Sequence, residues 1–226
     1  MTAGLLRDLP RPRTVLFDWD NTLVDVWPLL HRAMNAALQA VGYAPWTLGE
    51  AQVRMKRSAR DIMPQLFGDR ASVAEKAFHA AYRSLHLEAL APCDGAERIL
   101  ALLHESEIPA AVVSNKTGSI LRDEVAMLGW ERYFVRTVGA RDAARDKPAV
   151  DVVLMALEST GIAPGPDVWF VGDTDVDMEC AHTSGCTPIL LGVEKMAGGM
   201  ELWPPAAYIP DCNRLHGEMV ARLAAP

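Results

Sequence analysis

The sequence predicts an α/β protein: a doubly wound parallel sheet with an all-helical domain inserted after its first strand. Three observations lead there. From Pro92 onward, short apolar runs rich in β-branched residues alternate with segments of helical period, the pattern of a parallel sheet with crossover helices. Between Leu23 and Ala91 there is no credible strand, only a block of roughly 65 residues that reads as helix throughout. The apolar runs end in acidic or other polar residues, and in open α/β sheets ligands bind at the carboxyl ends of the strands. The expected division is 1–24 with 91–226 as the sheet domain. Residues 25–90 form a smaller helical cap domain over the strand ends.

The first strand is Thr14-Val15-Leu16-Phe17, apolar enough to lie buried and central. It runs into Asp18-Trp19-Asp20-Asn21-Thr22, two carboxylates one residue apart and then a turn. Leu30, Ala33, Met34, Ala37, Leu38 and Val41 then recur at helical spacing, with Pro28 suited to a first turn and Gly42 as a stop. Thr47 to Arg57 and Ala59 to Phe67 read as two shorter helices, the second interrupted by Pro64 and ended by Gly68. Ala71 to Leu90 is a longer one. Asp94 is the expected N-cap of a helix bearing Ala96, Ile99, Leu100 and Leu103.

Ala110 to Val113 is the second strand, followed by Ser114-Asn115-Lys116 and a helix over Gly118 to Leu128. Tyr133 to Val138 supplies a third strand, and Lys147-Pro148 precedes a helix over Val150 to Ser159. Asp167 to Val171 is the fourth strand and leads into Gly172-Asp173-Thr174-Asp175-Val176-Asp177. A helix to Gly185, a fifth strand over Pro188 to Leu191, an edge strand over Ala206 to Ile209 and a last helix capped by Asp211 or Asn213 complete the chain.

Bulk properties narrow the function. The chain has 226 residues, half of them apolar, and a formal charge of −7, enough to bury a real core. The acidic balance and the lack of a Lys/Arg stripe argue against nucleic acid as a partner. No apolar run approaches a membrane span, and Met1 to Arg13 has the pattern of neither a signal nor a transit peptide. Cys93, Cys180, Cys186 and Cys212 show no C-x-x-C spacing, which favours reduced cysteines, a cytoplasmic setting and no structural zinc.

The strand ends carry the chemistry. A parallel sheet points all its carboxyl ends to one edge, so Asp18, Asp20, Ser114, Asn115, Lys147, Asp173 and Asp177 converge there. Gathered carboxylates repel one another unless a cation sits among them. Mg²⁺ fits, because it takes hard oxygen ligands from a few carboxylates together with substrate phosphate. The set suits phosphoryl transfer through an aspartyl-phosphate. Asp18, nearest the strand, would attack phosphorus; Asp20 would protonate the leaving alcohol and then activate water. Lys147 would offset charge, and Ser114 would donate a hydrogen bond to the transferring group.

The stretches Asp18-Trp19-Asp20-Asn21-Thr22-Leu23, Val112-Val113-Ser114-Asn115-Lys116, Asp146-Lys147-Pro148 and Val171 to Met178 resemble, in order and spacing, the four motifs of the haloacid dehalogenase superfamily. The resemblance runs from about Thr14 to Leu223. The helical insert is similar to that superfamily's C1-type cap, and the phosphoglycolate-phosphatase-like branch looks nearest.

It implies a Rossmann-like core and Mg²⁺-dependent hydrolysis of a small phosphorylated metabolite. Asp18 would be nucleophile and metal ligand, and Asp20 an acid/base that also offers its carbonyl to the metal. Thr22, Ser114 and Asn115 would bind the phosphate together with Lys147. Asp173 would ligate the metal, and Asp177 would support it directly or through water.

Two positions depart from the family pattern, Asn21 where glycine is usual and Val150 where many relatives have a second proline. Asp20 itself separates the chain from dehalogenases and phosphonoacetaldehyde hydrolases, which lack an acid there.

Other residues read more plainly. Asp175 is an exposed turn residue, Asp25 a hinge or N-cap, and Trp19 turns away from its flanking aspartates towards the core or cap. Arg57, Arg60 and His31 are candidates for reading the organic part of a substrate, against the commoner solvated helix face. The alternatives are a phosphomutase of the same superfamily and a phospho-accepting receiver-like domain, which also gathers acids, Mg²⁺ and a Lys-Pro at a sheet edge.

Overall fold

The computed structural model describes residues 5–55, 59–192 and 201–224, without the side chains of 59–61. The chain divides into two compact units, one of residues 1–24 with 92–226 and one of residues 25–91.

The first unit is built on a six-stranded parallel sheet. Its strands are β1 (Thr14–Phe17), β4 (Ala110–Thr117), β5 (Phe134–Ala140), β6 (Val168–Gly172), β7 (Thr187–Leu191) and β8 (Ala207–Ile209), in the order β5-β4-β1-β6-β7-β8. β1 is central, with all four residues buried between β4 and β6. Four apolar or β-branched residues in a row suit a strand covered on both faces.

Five helices of this unit are α5 (Ala96–Glu105), α6 (Gly118–Met127), α7 (Asp151–Leu157), α8 (Asp175–Ser184) and α9 (Cys212–Ala224). On one face Leu16, Ala111, Val113, Val168 and Phe170 pack with Val153, Ala156, Cys180 and Ala181 from α7 and α8. Strand alternation sends Val15, Phe17, Val112 and Trp169 to the opposite face, where they are equally buried.

Register positions the site. Phe17 is level with Val112 on β4 and Val171 on β6, and Asp18 N–H still donates to the Val171 carbonyl at 2.9 Å. Asp18 follows Phe17 directly, and Ser114 and Asp173 follow Val112 and Val171 by two residues, so all three lie at the same carboxyl edge of the sheet. The switch in direction of winding lies beside β1, between β4 and β6, where this architecture opens a crevice.

The second unit consists of α1 (Trp27–Ala40), α2 (Leu48–Arg54), α3 (Ala59–Phe67) and α4 (Ala71–Leu85). Ala33, Met34, Ala37 and Leu38 of α1 meet Met63, Phe67, Ala74 and Phe78 in a core of its own. α2 starts with a reciprocal capping box in which the Thr47 hydroxyl accepts from Glu50 N–H and the Glu50 carboxylate accepts from Thr47 N–H.

Several local expectations need correction. Two-residue strands β2 (Val24–Asp25) and β3 (Ala91–Pro92) pair where the chain passes between the units; they are too short for periodicity to reveal. α3 continues through Pro64, held by the burial of Ile62, Met63 and Phe67. α4 ends at Leu85, five residues early. The N-cap of α5 is Gly95 at φ +91°, because Asp94 instead accepts from the Asn213 amide of α9 at 2.6 Å. α9 is capped by Asp211, whose carboxylate accepts from Arg214 N–H at 2.7 Å.

Candidate active site

Every candidate catalytic, phosphate-binding and metal-binding residue belongs to the sheet unit. Asp18, at the end of β1, is buried, and its Oδ1 accepts from Lys147 Nζ at 2.6 Å. The same ammonium donates to Asp177 Oδ1 at 2.6 Å. Asp173 completes the group: one carboxylate oxygen from each of Asp18, Asp173 and Asp177 lies within 4.8 Å of the others. Three carboxylates against one ammonium leave a formal charge of −2 when all are ionised.

Burial and that imbalance together set the protonation equilibria. Burial, reinforced by the Asp177 charge against the pull of Lys147, pushes Asp18 up to about 6. Asp173 is also pushed well above the usual carboxylate range, by burial and by the charges of Asp18 and Asp177. Burial opposes the charge of Lys147, but Asp177 and Asp18 outweigh it and hold the ammonium above its ordinary value. Lys147 is thus firmly charged while its partner Asp18 is not lowered in return, because burial, reinforced by the charge of Asp177, outweighs the pull of Lys147.

Local folding explains each position. Asp177 is the third helical residue of α8 and forms a capping box with Thr174: its Oδ2 accepts from Thr174 N–H at 3.0 Å and from the Thr174 hydroxyl at 2.6 Å. Gly172 makes room for it. A Cβ at Gly172 would lie 2.4 Å from Asp177 Cβ and Cγ, so no larger residue allows this turn to close.

The Lys147–Pro148 peptide is cis, and the loop that carries it is clamped by Asn115. The Asn115 amide donates to the Lys147 carbonyl at 3.2 Å and its Oδ1 accepts from Lys147 N–H at 3.1 Å. The Asn115 side chain, expected at the phosphate, is therefore engaged in holding Lys147.

Ser114 is buried on β4, with Oγ accepting from Lys116 N–H at 3.3 Å. Thr22 is fully buried, and its hydroxyl meets no hydrogen-bond partner among the described residues. A buried hydroxyl without a partner is costly, and a phosphate oxygen would relieve it. Asn21 has φ +57°, a left-handed conformation that asparagine tolerates better than most residues.

Asp20 stands apart. Its carboxylate is outside the three-carboxylate group and accepts from Lys116 Nζ at 2.6 Å. Lys116 also donates to Glu124 Oε2 at 2.6 Å, and that oxygen accepts from the Trp19 indole N–H at 2.7 Å. Trp19 is wholly buried, edge-on to Trp130 and Phe134. Sequence reasoning missed Lys116 and Glu124. The available signal was register: Glu124 falls three residues after Leu121 and one before Val125, on the buried stripe of α6.

Asp175, Asp25 and His31 make local hydrogen bonds. Asp175 begins α8 and accepts from Val176 N–H, and Asp25 accepts from Trp27 N–H at 3.0 Å. His31 Nε2 lies 2.7 Å from the Trp46 carbonyl within the helical unit. Arg57 lies outside the described residues, as does the side chain of Arg60.

The family model of the haloacid dehalogenase-like hydrolases matches residues 15–191. The chain belongs to this family. The hydrolase is 32% identical over 178 residues to the phosphoglycolate phosphatase of Xylella fastidiosa, covering 77% of each chain. It is 25% identical over 210 residues to that of Rhodobacter capsulatus, covering 90% of this chain and 94% of the other.

A superfamily hydrolase from Ehrlichia chaffeensis is 26% identical, with a TM-score of 0.67 over 96% of this chain and 100% of that one. A subfamily IA hydrolase from Geobacter sulfurreducens shares the fold at 20% identity, with a TM-score of 0.76 over 94% and 97%. Membership in a hydrolase family sets aside the receiver-like alternative. No helix among the described residues is long and apolar enough to cross a membrane.

Proposed function

We propose that this hydrolase cleaves a small phosphomonoester with Mg²⁺, through a phosphoryl group carried transiently on Asp18. The observation that carries the reading is the cluster of Asp18, Asp173 and Asp177 around Lys147, with the partnerless Thr22 hydroxyl two turn residues beyond Asp20. The donor set fits the metal: hard carboxylate oxygens, a formal excess of two negative charges when all are ionised, and two carboxylates that burial and their neighbours' charges hold above the ordinary range.

Asp18 and Asp173 would hold Mg²⁺, with the Asp20 carbonyl beside them and Asp177 in direct or water-mediated support. Bound there, the metal supplies positive charge to the carboxylates and to the phosphoryl oxygens.

The chain's own residues do the rest. One Asp18 oxygen attacks phosphorus as the bond from phosphorus to the ester oxygen breaks, and Asp20 gives its proton to the departing alcohol. Asp20, now ionised, takes a proton from water, whose oxygen attacks the phosphorus on Asp18 and releases inorganic phosphate. Lys147 offsets charge on the transferring group, and Ser114 and Thr22 donate to its oxygens.

The named relatives support phosphoglycolate or a similar small phosphorylated metabolite as substrate. The helical residues 25–91 are the proposed cap domain and the source of selectivity. A cytoplasmic setting belongs to the same reading and is supported by the buried thiols of Cys180, Cys186 and Cys212.

Purified protein should release phosphate from p-nitrophenyl phosphate with Mg²⁺ and stop when EDTA is added. Asp18→Asn should fold yet lose turnover by at least about 10³-fold. Turnover that survives EDTA, or an Asp18→Asn variant near wild-type rate, sinks the mechanism.

A further inference from the structure

The geometry around Asp20 points to a role for a lysine that the reaction as written above does not use. We infer that Lys116 is the positioning residue for Asp20, anchored from behind by Glu124 and Trp19. The inference rests on the reading of Asp20 as acid/base.

The contacts form one chain. The Trp19 indole N–H donates to Glu124 Oε2 at 2.7 Å, Lys116 Nζ donates to the same oxygen at 2.6 Å, and Lys116 Nζ donates to Asp20 Oδ1 at 2.6 Å. Exposure falls steeply along it. The Asp20 side chain is 31% exposed, that of Lys116 2% and that of Glu124 0%. A buried ion pair is a poor way to fasten β4 to α6, since apolar residues of similar volume serve at least as well. What an apolar pair would lack is a fixed ammonium aimed outward at the one member that meets solvent.

The sequence builds this device in three places. Lys116 lies two residues after Ser114 on β4, and both are buried while Asn115 between them is exposed. Glu124 follows by eight residues and lies on the buried stripe of α6 with Leu121 and Val125. Trp19 separates the two aspartates, and its ring is fixed edge-on by Trp130 at 5.9 Å and Phe134 at 6.4 Å. The rigid indole orients Glu124, Glu124 orients Lys116, and Lys116 orients Asp20.

The consequence is which oxygen of Asp20 works. Oδ1 is engaged by the ammonium, so Oδ2 is the atom that carries the proton to the leaving group and later accepts one from water. An acid/base held within a narrow range of positions is effective; a loose one loses orders of magnitude in rate.

The test compares leaving groups. The leaving group of phenyl phosphate needs a proton as it departs, whereas that of 2,4-dinitrophenyl phosphate leaves as a stable phenolate anion. Leaving-group release is followed in single turnovers with Mg²⁺ and enzyme in excess, so only the first chemical step is seen. Lys116→Met should slow phenol release about 10²-fold with half-saturation within about threefold, and slow dinitrophenol release less than about fivefold. Lys116→Arg should recover most of the rate.

Because Lys116→Met strands a buried carboxylate, the double variant Lys116→Met/Glu124→Met, checked for fold by circular dichroism, should show the same selective loss. A folded double variant that releases phenol within threefold of wild type overturns the inference, and so does an equal loss on both esters. If Asp20→Asn loses phenol release while the Lys116 variants keep it, only the role of Lys116 fails. A wild type inactive on both esters with Mg²⁺ overturns the functional reading and this role together.

Discussion

Asp18 is asked to be an anion in a place that favours its acid form. Its folded value near 6 lies above the ordinary 3.8, so its contribution to stability is present below about pH 4 and lost as the pH rises through 6. The loss approaches about 3 kcal/mol. In EDTA, Asp18→Asn should therefore melt higher than wild type at pH 8, and the gap should shrink as the pH falls through 6. A variant that melts lower at pH 8 would show that pairing with Lys147, not burial, governs Asp18. The same equilibrium makes Mg²⁺ compete with a proton, so apparent metal affinity should weaken up to about tenfold per pH unit below 6, measurable by calorimetry. At this scale the sequence was informative at and just after the strand ends: Asp18 and Asp173 follow β1 and β6 directly, and Lys147 and Asp177 lie in the loop after β5 and the first turn of α8. It was silent on Glu124, because a carboxylate on a helix reads as a solvated face until its register on α6 is matched with Lys116 and Trp19.

Among the elements, the β6–α8 turn is closely packed. Gly172 closes against Asp177, whose carboxylate caps the helix and receives Lys147. Gly172→Ala should cost about 1–3 kcal/mol through overpacking, lowering the melting temperature by several degrees. Activity should fall further than stability does, since the displaced atoms are those of Asp177. An unchanged melting temperature would mean that the turn relaxes without strain. The strands were legible because apolar runs such as Val168 to Val171 have few other uses. The helix ends were less so. Asp94 has the composition of an N-cap, yet its carboxylate is taken by Asn213, 119 residues away in sequence, and no local pattern reports such a partner. Pro64 likewise reads as a break, but the buried residues on either side keep α3 continuous.

For the whole molecule, binding of the proposed metal would be linked to folding. A ligand at 100 times its dissociation constant stabilises by about 2.7 kcal/mol, which for a chain of 226 residues raises the melting temperature by roughly 5–10 °C. Mg²⁺ should produce such a shift and EDTA should remove it. A shift that persists in Asp18→Asn/Asp173→Asn would place the metal elsewhere. The central position of β1 also has a consequence in time. Val15 pairs with Ala110 and Trp169, 95 and 154 residues later in the chain. At about 5–20 residues per second on the ribosome, the strand waits on the order of ten seconds for its neighbours. The contacts of α1 to α4 are local, so those helices can assemble in the interval. The two aspartates at the tip of β1 are synthesised well before the strands that come to surround them.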